Sequence, residues 1–262
     1  MPRFAANLSM LFTEVPFLER FAKAREAGFT GVEYLFPYDW PAEQLAEQLR
    51  ANGLTQVLFN LPPGDWAGGE RGIACLPGRE AEFRAGVEQA LDYARALGCR
   101  QLNCLAGLQP EGLDGLIARE TLVANVRYAA GRLAEEGIML CLEAINSRVD
   151  MPGFLLDTSE KVIAVIEEVG ADNVRLQYDL YHMQIMEGDL LRTAERLLPW
   201  IGHIQFADNP GRHQPGTGEI NFSRVFAELD RLGYHGWMSA EYRPSTITEG
   251  SLGWFEAARQ AS

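Results

Sequence analysis

Lysine is almost missing from this 262-residue chain: Lys23 and Lys161 are the only two, and both read as positions on outer helices. Schiff-base chemistry, which needs an amine inside the site, is therefore not expected. Positive charge is not in excess either. The formal net charge is -13, and an acidic surface repels nucleic-acid phosphates and anionic membranes. No apolar run approaches the ~18 residues that span a bilayer. No signal-like apolar stretch opens the sequence, because Glu14 interrupts the only candidate. Cysteine is scarce. Cys75, Cys99, Cys104 and Cys141 include no C-x-x-C pair, which argues against zinc-ribbon and dithiol redox motifs. Free thiols in a reducing cytoplasm are the expectation. No G-x-G-x-x-G follows the first strand-like segment, so the usual dinucleotide fingerprint of an open doubly wound sheet is absent.

What is present is an alternation. Apolar residues make up 47% of the chain, enough for a full core. Helix-like stretches end at glycine, and short apolar runs follow. Glu26-Ala27-Gly28 precedes Gly31-Val32-Glu33-Tyr34, Ala51-Asn52-Gly53 precedes Thr55-Gln56-Val57-Leu58-Phe59, and Ala96-Leu97-Gly98 precedes Gln101-Leu102-Asn103-Cys104. The pattern continues with Glu135-Glu136-Gly137 before Met139-Leu140-Cys141-Leu142-Glu143. Val169-Gly170 then precedes Val174-Arg175-Leu176-Gln177-Tyr178, and Leu232-Gly233 precedes Gly236-Trp237-Met238-Ser239-Ala240. Glycine tolerates the left-handed conformation that closes a helix, so each marks a helix-to-strand junction. Phe4-Ala5-Ala6-Asn7-Leu8 supplies a first strand, and Ile201-Gly202-His203-Ile204-Gln205-Phe206, after Pro199, a seventh. Eight strands, each followed by a helix, predict a parallel sheet. Eight such units in this length predict an α/β fold, one closed (β/α)8 TIM barrel spanning residues 1–262 as a single domain. The two longest loop-like stretches, Leu61 to Gly78 and Ala207 to Ile220, follow strands. They belong to the face where barrel active sites are built.

The chemistry sits at strand ends. The fifth strand ends in Glu143, the sixth in Asp179 and the eighth in Glu241, and Gln205 stands near the end of the seventh. Four neighbouring strands thus direct oxygen-bearing side chains to one rim. A single acidic strand end is ordinarily a solvated group or a helix cap, but four on consecutive strands need a common reason. Three close carboxylates repel one another unless a cation compensates them. An all-oxygen set suits Mg2+ or Mn2+ better than Zn2+. His182, three residues past Asp179, lies on the same rim, placed to touch an oxygen bound there. His203 reads as a core position, His213 and His235 as loop and turn residues.

Longer segments carry a resemblance. They are Phe4-Ala5-Ala6-Asn7-Leu8-Ser9, Glu33-Tyr34-Leu35-Phe36-Pro37-Tyr38, Asn60-Leu61-Pro62-Pro63-Gly64-Asp65-Trp66 and Gly69-Glu70-Arg71-Gly72-Ile73-Ala74. Further along stand Glu143-Ala144-Ile145-Asn146, Tyr178-Asp179-Leu180-Tyr181-His182 and His203-Ile204-Gln205-Phe206-Ala207-Asp208. Pro215-Gly216-Thr217-Gly218-Glu219-Ile220 and Ala240-Glu241-Tyr242 complete the set. Together they resemble the hydroxypyruvate isomerase family, within the wider xylose-isomerase-like barrels that include ketose 3-epimerases. The likeness runs nearly end to end. It implies metal binding by Glu143, Asp179, Gln205 and Glu241, with Glu143 and Glu241 also exchanging protons. Epimerase relatives usually carry histidine where Gln205 stands, so Gln205 points to the hydroxypyruvate branch.

Such an isomerase moves a proton between adjacent carbons through an enediolate, and its substrate is a small sugar acid. The substrate carboxylate needs cationic partners, and arginine binds it bidentately. Among Arg71, Arg148, Arg212 and Arg243, all in loops after strands, Arg71 and Arg212 occupy the two long Gly-rich loops and are the candidates. Glu70 is read as orienting Arg71 or a substrate hydroxyl. A 2-oxotetronate isomerase and a ketose 3-epimerase remain alternatives. A repair endonuclease would be basic and richer in rim histidines, and a non-catalytic sugar-binding barrel would not need both glutamates. Neither nucleic acid nor membrane is expected as a partner. A homo-oligomer is left open, because apolar outer helices often pair barrels.

Overall fold

In the computed structural model, which describes residues 3–260, the apolar runs form eight strands. They are β1 (Arg3–Asn7), β2 (Gly31–Glu33), β3 (Thr55–Asn60), β4 (Gln101–Cys104), β5 (Met139–Glu143), β6 (Val174–Asp179), β7 (Ile201–Phe206) and β8 (Trp237–Ala240). Residues 1, 2, 261 and 262 of the expected domain lie outside the described part. All pairings are parallel and follow sequence order, and β8 returns to β1 from Arg3↔Trp237 to Ala6↔Ala240. The expected closed barrel is therefore the fold.

Parallel neighbours need crossovers, and helices supply them. They are α1 (Arg20–Glu26), α2 (Ala42–Asn52), α3 (Glu80–Leu97), α4 (Gly115–Ala134), α5 (Ser159–Val169) and α8 (Phe222–Arg231), while α9 (Gly253–Gln260) follows the last strand. One departure from the expected alternation occurs after β6, where two short helices follow, α6 (Leu180–Met186) and α7 (Leu190–Leu197). Gly188 and Asp189 between them both take positive φ, 67° and 45°, which interrupts the helical path. Gly53 and Gly98 close α2 and α3 in the left-handed region, at φ 59° and 62°. Among the described residues no helix is long and apolar enough to cross a membrane. All four cysteines are free and buried.

The period of two along each strand sorts side chains between two environments. Ala6, Val32, Leu102, Leu140, Leu142, Ile204 and Met238 join the large core shared with the helices. Ala5, Val57, Leu58 and Cys141 form a separate small apolar cluster against Met139 and Trp237. Towards the strands' C-terminal ends the interior turns polar. Glu33 on β2 is fully buried and accepts from Gln205 Nε2 at 2.7 Å, and it lies 2.8 Å from His203 Nε2. His203 Nδ1 in turn lies 3.1 Å from Gln101 Nε2. β2 and β4 are not neighbours of β7, so these bonds cross the barrel. Buried polar groups must find partners, and here they find one another. The result is a bonded polar floor beneath the rim where the strands end.

Candidate active site

Asp179 ends β6 and caps α6. Its Oδ1 accepts from the backbone N–H of Tyr181 at 2.8 Å and of His182 at 3.2 Å, which fixes the carboxylate and frees Oδ2. The cap also throws His182 back over the rim, where its Nε2 lies 3.7 Å from Asp179 Oδ2 and 3.9 Å from Glu143 Oε1. Glu143 ends β5 and accepts from Asn103 Nδ2 at 3.1 Å. Glu143, Asp179 and His182 form a buried group with ligand atoms within 4.8 Å of one another. Glu241 follows β8 and accepts from Arg212 Nη2 at 3.2 Å.

Arg212 arrives from the loop after β7. It takes a left-handed backbone, φ 58°, and its guanidinium lies 5.2 Å from the Tyr181 ring centroid and 3.5 Å from Asp150 Oδ1. A buried carboxylate shapes that loop. Asp208 accepts from the backbone N–H groups of Asn209, Gly216, Gly218 and Ile220 at 2.8–3.1 Å. The Nε of Arg212 is buried and has no hydrogen-bond partner among the described residues. An orphaned charged donor facing a site is matched by an anionic ligand oxygen.

The electrostatics are those of a crowded acidic pocket. Burial pushes Glu143 well above the usual carboxylate range, and Glu241 and Asp179 push it further, against Arg212. Asp179 is raised by burial, with Arg212 and two backbone N–H groups opposing. Burial lifts Glu241 to about 8, again against Arg212. His182 is held well below its ordinary value by burial and by Arg212, which favours the neutral imidazole. One arginine faces three buried carboxylates. Oxygen donors with surplus negative charge in a dry site fit a divalent cation such as Mg2+ or Mn2+. Gln205 is buried beside them, its Oε1 accepting from Gln177 Nε2 at 2.5 Å and its Nε2 tied to Glu33. A carbonyl oxygen has two lone pairs, so one remains.

Arg212 and His182 thus join the acidic cluster. Glu70 and Arg71 do not: among the described residues no hydrogen bond or ion pair links them to it. Arg71 lies over the Trp66 ring at 4.2 Å and donates to the carbonyl oxygens of Trp66 and Glu70. Trp66 meets Phe36 edge-on at 5.0 Å. The Glu70 carboxylate is turned away to Arg79 Nη1 at 2.7 Å and the Asp65 N–H, so it does not orient Arg71 as the sequence suggested. A charged donor outside the motif outcompeted the sequence neighbour. Arg148 is spent on the Ile185 carbonyl.

Several site residues escaped the sequence reading. Glu33 stands at a strand end and obeys the same rule that picked Glu143, so the signal was there. It is held below the usual carboxylate range: burial would raise it, but His203, Gln205 and Ser239 outweigh that. Asn103 sat unread beside Cys104. Asp150, which holds Arg212 and accepts from Tyr181 Oη at 2.9 Å, had no local signal. Its place depends on how the loop after β5 folds back.

Comparison with known proteins places this geometry among relatives. A family model described as xylose isomerase-like TIM barrel matches residues 21–258. A hydroxypyruvate isomerase of Escherichia coli (strain K12) is 51% identical over 259 residues, 99% of this chain and 100% of that one. A 2-oxo-tetronate isomerase of Cupriavidus necator is 49% identical, covering 98% of each. A crystal structure described as AP endonuclease, family 2, from Brucella melitensis superposes with a TM-score of 0.96 at 50% identity, covering 98% of this chain and 99% of that one.

Proposed function

The chain belongs to the hydroxypyruvate isomerase family of xylose isomerase-like TIM barrels and is an isomerase; from that premise we propose that it interconverts hydroxypyruvate and 2-hydroxy-3-oxopropanoate (tartronate semialdehyde) in a divalent-metal site. The observation that carries the reading is the set of three buried carboxylates around Arg212, whose Nε has no partner among the described residues. Glu143, Asp179, Gln205 and Glu241 would hold Mg2+ or Mn2+. When bound, the cation supplies Lewis-acid stabilisation of negative charge that develops on substrate oxygens.

The chain's own residues do the rest. Arg212 binds the substrate carboxylate through Nε and an Nη, which fixes which carbon meets the base. His182, neutral and buried, donates a hydrogen bond to the oxygen that becomes anionic. A glutamate, Glu143 or Glu241, removes the proton from C3 and leaves an enediolate. Transfer of the C3 hydroxyl proton to the C2 oxygen, and return of the glutamate's proton to C2, give the aldehyde.

A second reading is favoured by the 2-oxo-tetronate isomerase among the relatives: the same chemistry on a substrate one carbon longer. NMR of the purified protein with hydroxypyruvate in D2O, with Mg2+, with Mn2+ and with EDTA, tests both. Metal-dependent conversion is expected. A folded, metal-loaded protein that leaves hydroxypyruvate untouched but converts 2-oxotetronate selects the second reading, and inactivity on both removes the proposal.

A further inference from the structure

Asn146 lies in the loop after β5 and is fully buried. Its Oδ1 accepts from the backbone N–H groups of Val149 and Asp150, both at 2.9 Å. The amide orientation is thereby set, and its two Nδ2 hydrogens face the other way. One goes to Asp150 Oδ2 at 2.6 Å, and Nδ2 lies 2.7 Å from His182 Nδ1. An amide nitrogen only donates, so His182 Nδ1 must accept. A neutral imidazole has one N–H and one lone pair, which puts the proton on Nε2. That N–H stands 3.7 Å from Asp179 Oδ2 and 3.9 Å from Glu143 Oε1, beyond hydrogen-bonding distance of either.

From this chain of donors and acceptors we infer that Asn146 is a positioning residue: it fixes His182 as an Nε2–H donor and so removes His182 from the metal ligands, although His182 clusters with Glu143 and Asp179. A ligating nitrogen must offer a lone pair. Were Nε2 to do so, the proton would move to Nδ1 and meet Asn146 Nδ2, donor against donor. Turning the amide over would break two backbone hydrogen bonds and set Oδ1 against the Asp150 carboxylate. The cation is left to oxygen donors, and the Nε2–H is left for a substrate oxygen. That last consequence rests on the proposed isomerase reading; the tautomer does not.

Long-range 1H–15N NMR of the whole protein with 15N-labelled histidine reads the tautomer directly. The chain has four histidines, and the His182 signals are those missing from His182→Gln. Nδ1 without a proton and Nε2 with one are expected, both metal-free and with Mg2+. A protonated Nδ1 in either sample overturns the inference. The double variant Asn146→Asp with Asp150→Asn exchanges donor for acceptor at both ends of the clamp. It is expected to move the proton to Nδ1 and to lower kcat/KM about 10- to 100-fold. An unchanged tautomer in the folded double variant would show that Asn146 is not the cause. A wild-type Nε2–H in a protein that isomerises neither sugar acid sinks the substrate reading and leaves the tautomer standing.

Discussion

At the scale of single residues, the two glutamates are expected to be separable. Glu143→Gln and Glu241→Gln keep size and lose basicity, so each is expected to lower kcat/KM by about 10²- to 10⁴-fold. Exchange of the C3 hydrogen with D2O, followed by NMR, tells which one takes the first proton: that variant loses exchange and turnover together. Equal activity to wild type in either would remove it from the proton path. Arg212→Lys keeps the charge but loses the planar fork, and its expected signature is a raised KM for the sugar acid, about 10-fold or more. An unchanged KM would move the carboxylate site elsewhere. The placing of Glu143, Asp179, Gln205, Glu241, His182 and Arg212 at one end of the barrel was legible because each lies at or shortly after the C-terminal end of a strand, where topology sets the rim. The partner of Glu70 was not legible, because sequence adjacency says nothing about side-chain direction: its carboxylate went to Arg79, nine residues away. Asn146 was visible only as part of a motif, since its role needs the folded loop.

At the scale of elements, the loop after β7 shows how a scaffold aims a side chain. Four backbone N–H groups converge on Asp208, and Arg212 hangs from the loop they define. Asp208→Ala would leave those four donors, of which the Ile220 N–H is buried, without their acceptor. It is expected to cost about 3 kcal/mol in denaturant unfolding and to lower kcat/KM through Arg212. Loss of stability with unchanged KM would mean that the loop does not aim the arginine. Strand positions were legible from the short apolar runs that follow helix-ending glycines. The split into α6 and α7 was not, because the break comes from Gly188 and Asp189 within a stretch that reads as one helix.

At the scale of the whole molecule, the barrel buries charge that it must neutralise. Glu241 titrates at about 8 against an ordinary glutamate value of 4.5, and Glu143 and Asp179 are also raised. Between those values the folded metal-free protein holds protons that the unfolded chain has released. Its stability from these groups is therefore full below about pH 4.5 and falls as pH rises to about 8. A divalent cation binds the deprotonated cluster, so the gain in Tm on adding Mg2+ is expected to be larger at pH 8 than at pH 5. Differential scanning fluorimetry with and without EDTA measures it, and equal gains would take the cation out of this cluster. The seam between β1 and β8 also governs how the protein is made. A growing chain cannot close its sheet until residue 240 has left the ribosome. At ~5–20 residues per second that is about 10–50 s of translation. Throughout it, the partial sheet offers unpaired strands to other unfinished copies. Yield in the cell is then a contest between the last strand and the nearest neighbouring nascent chain.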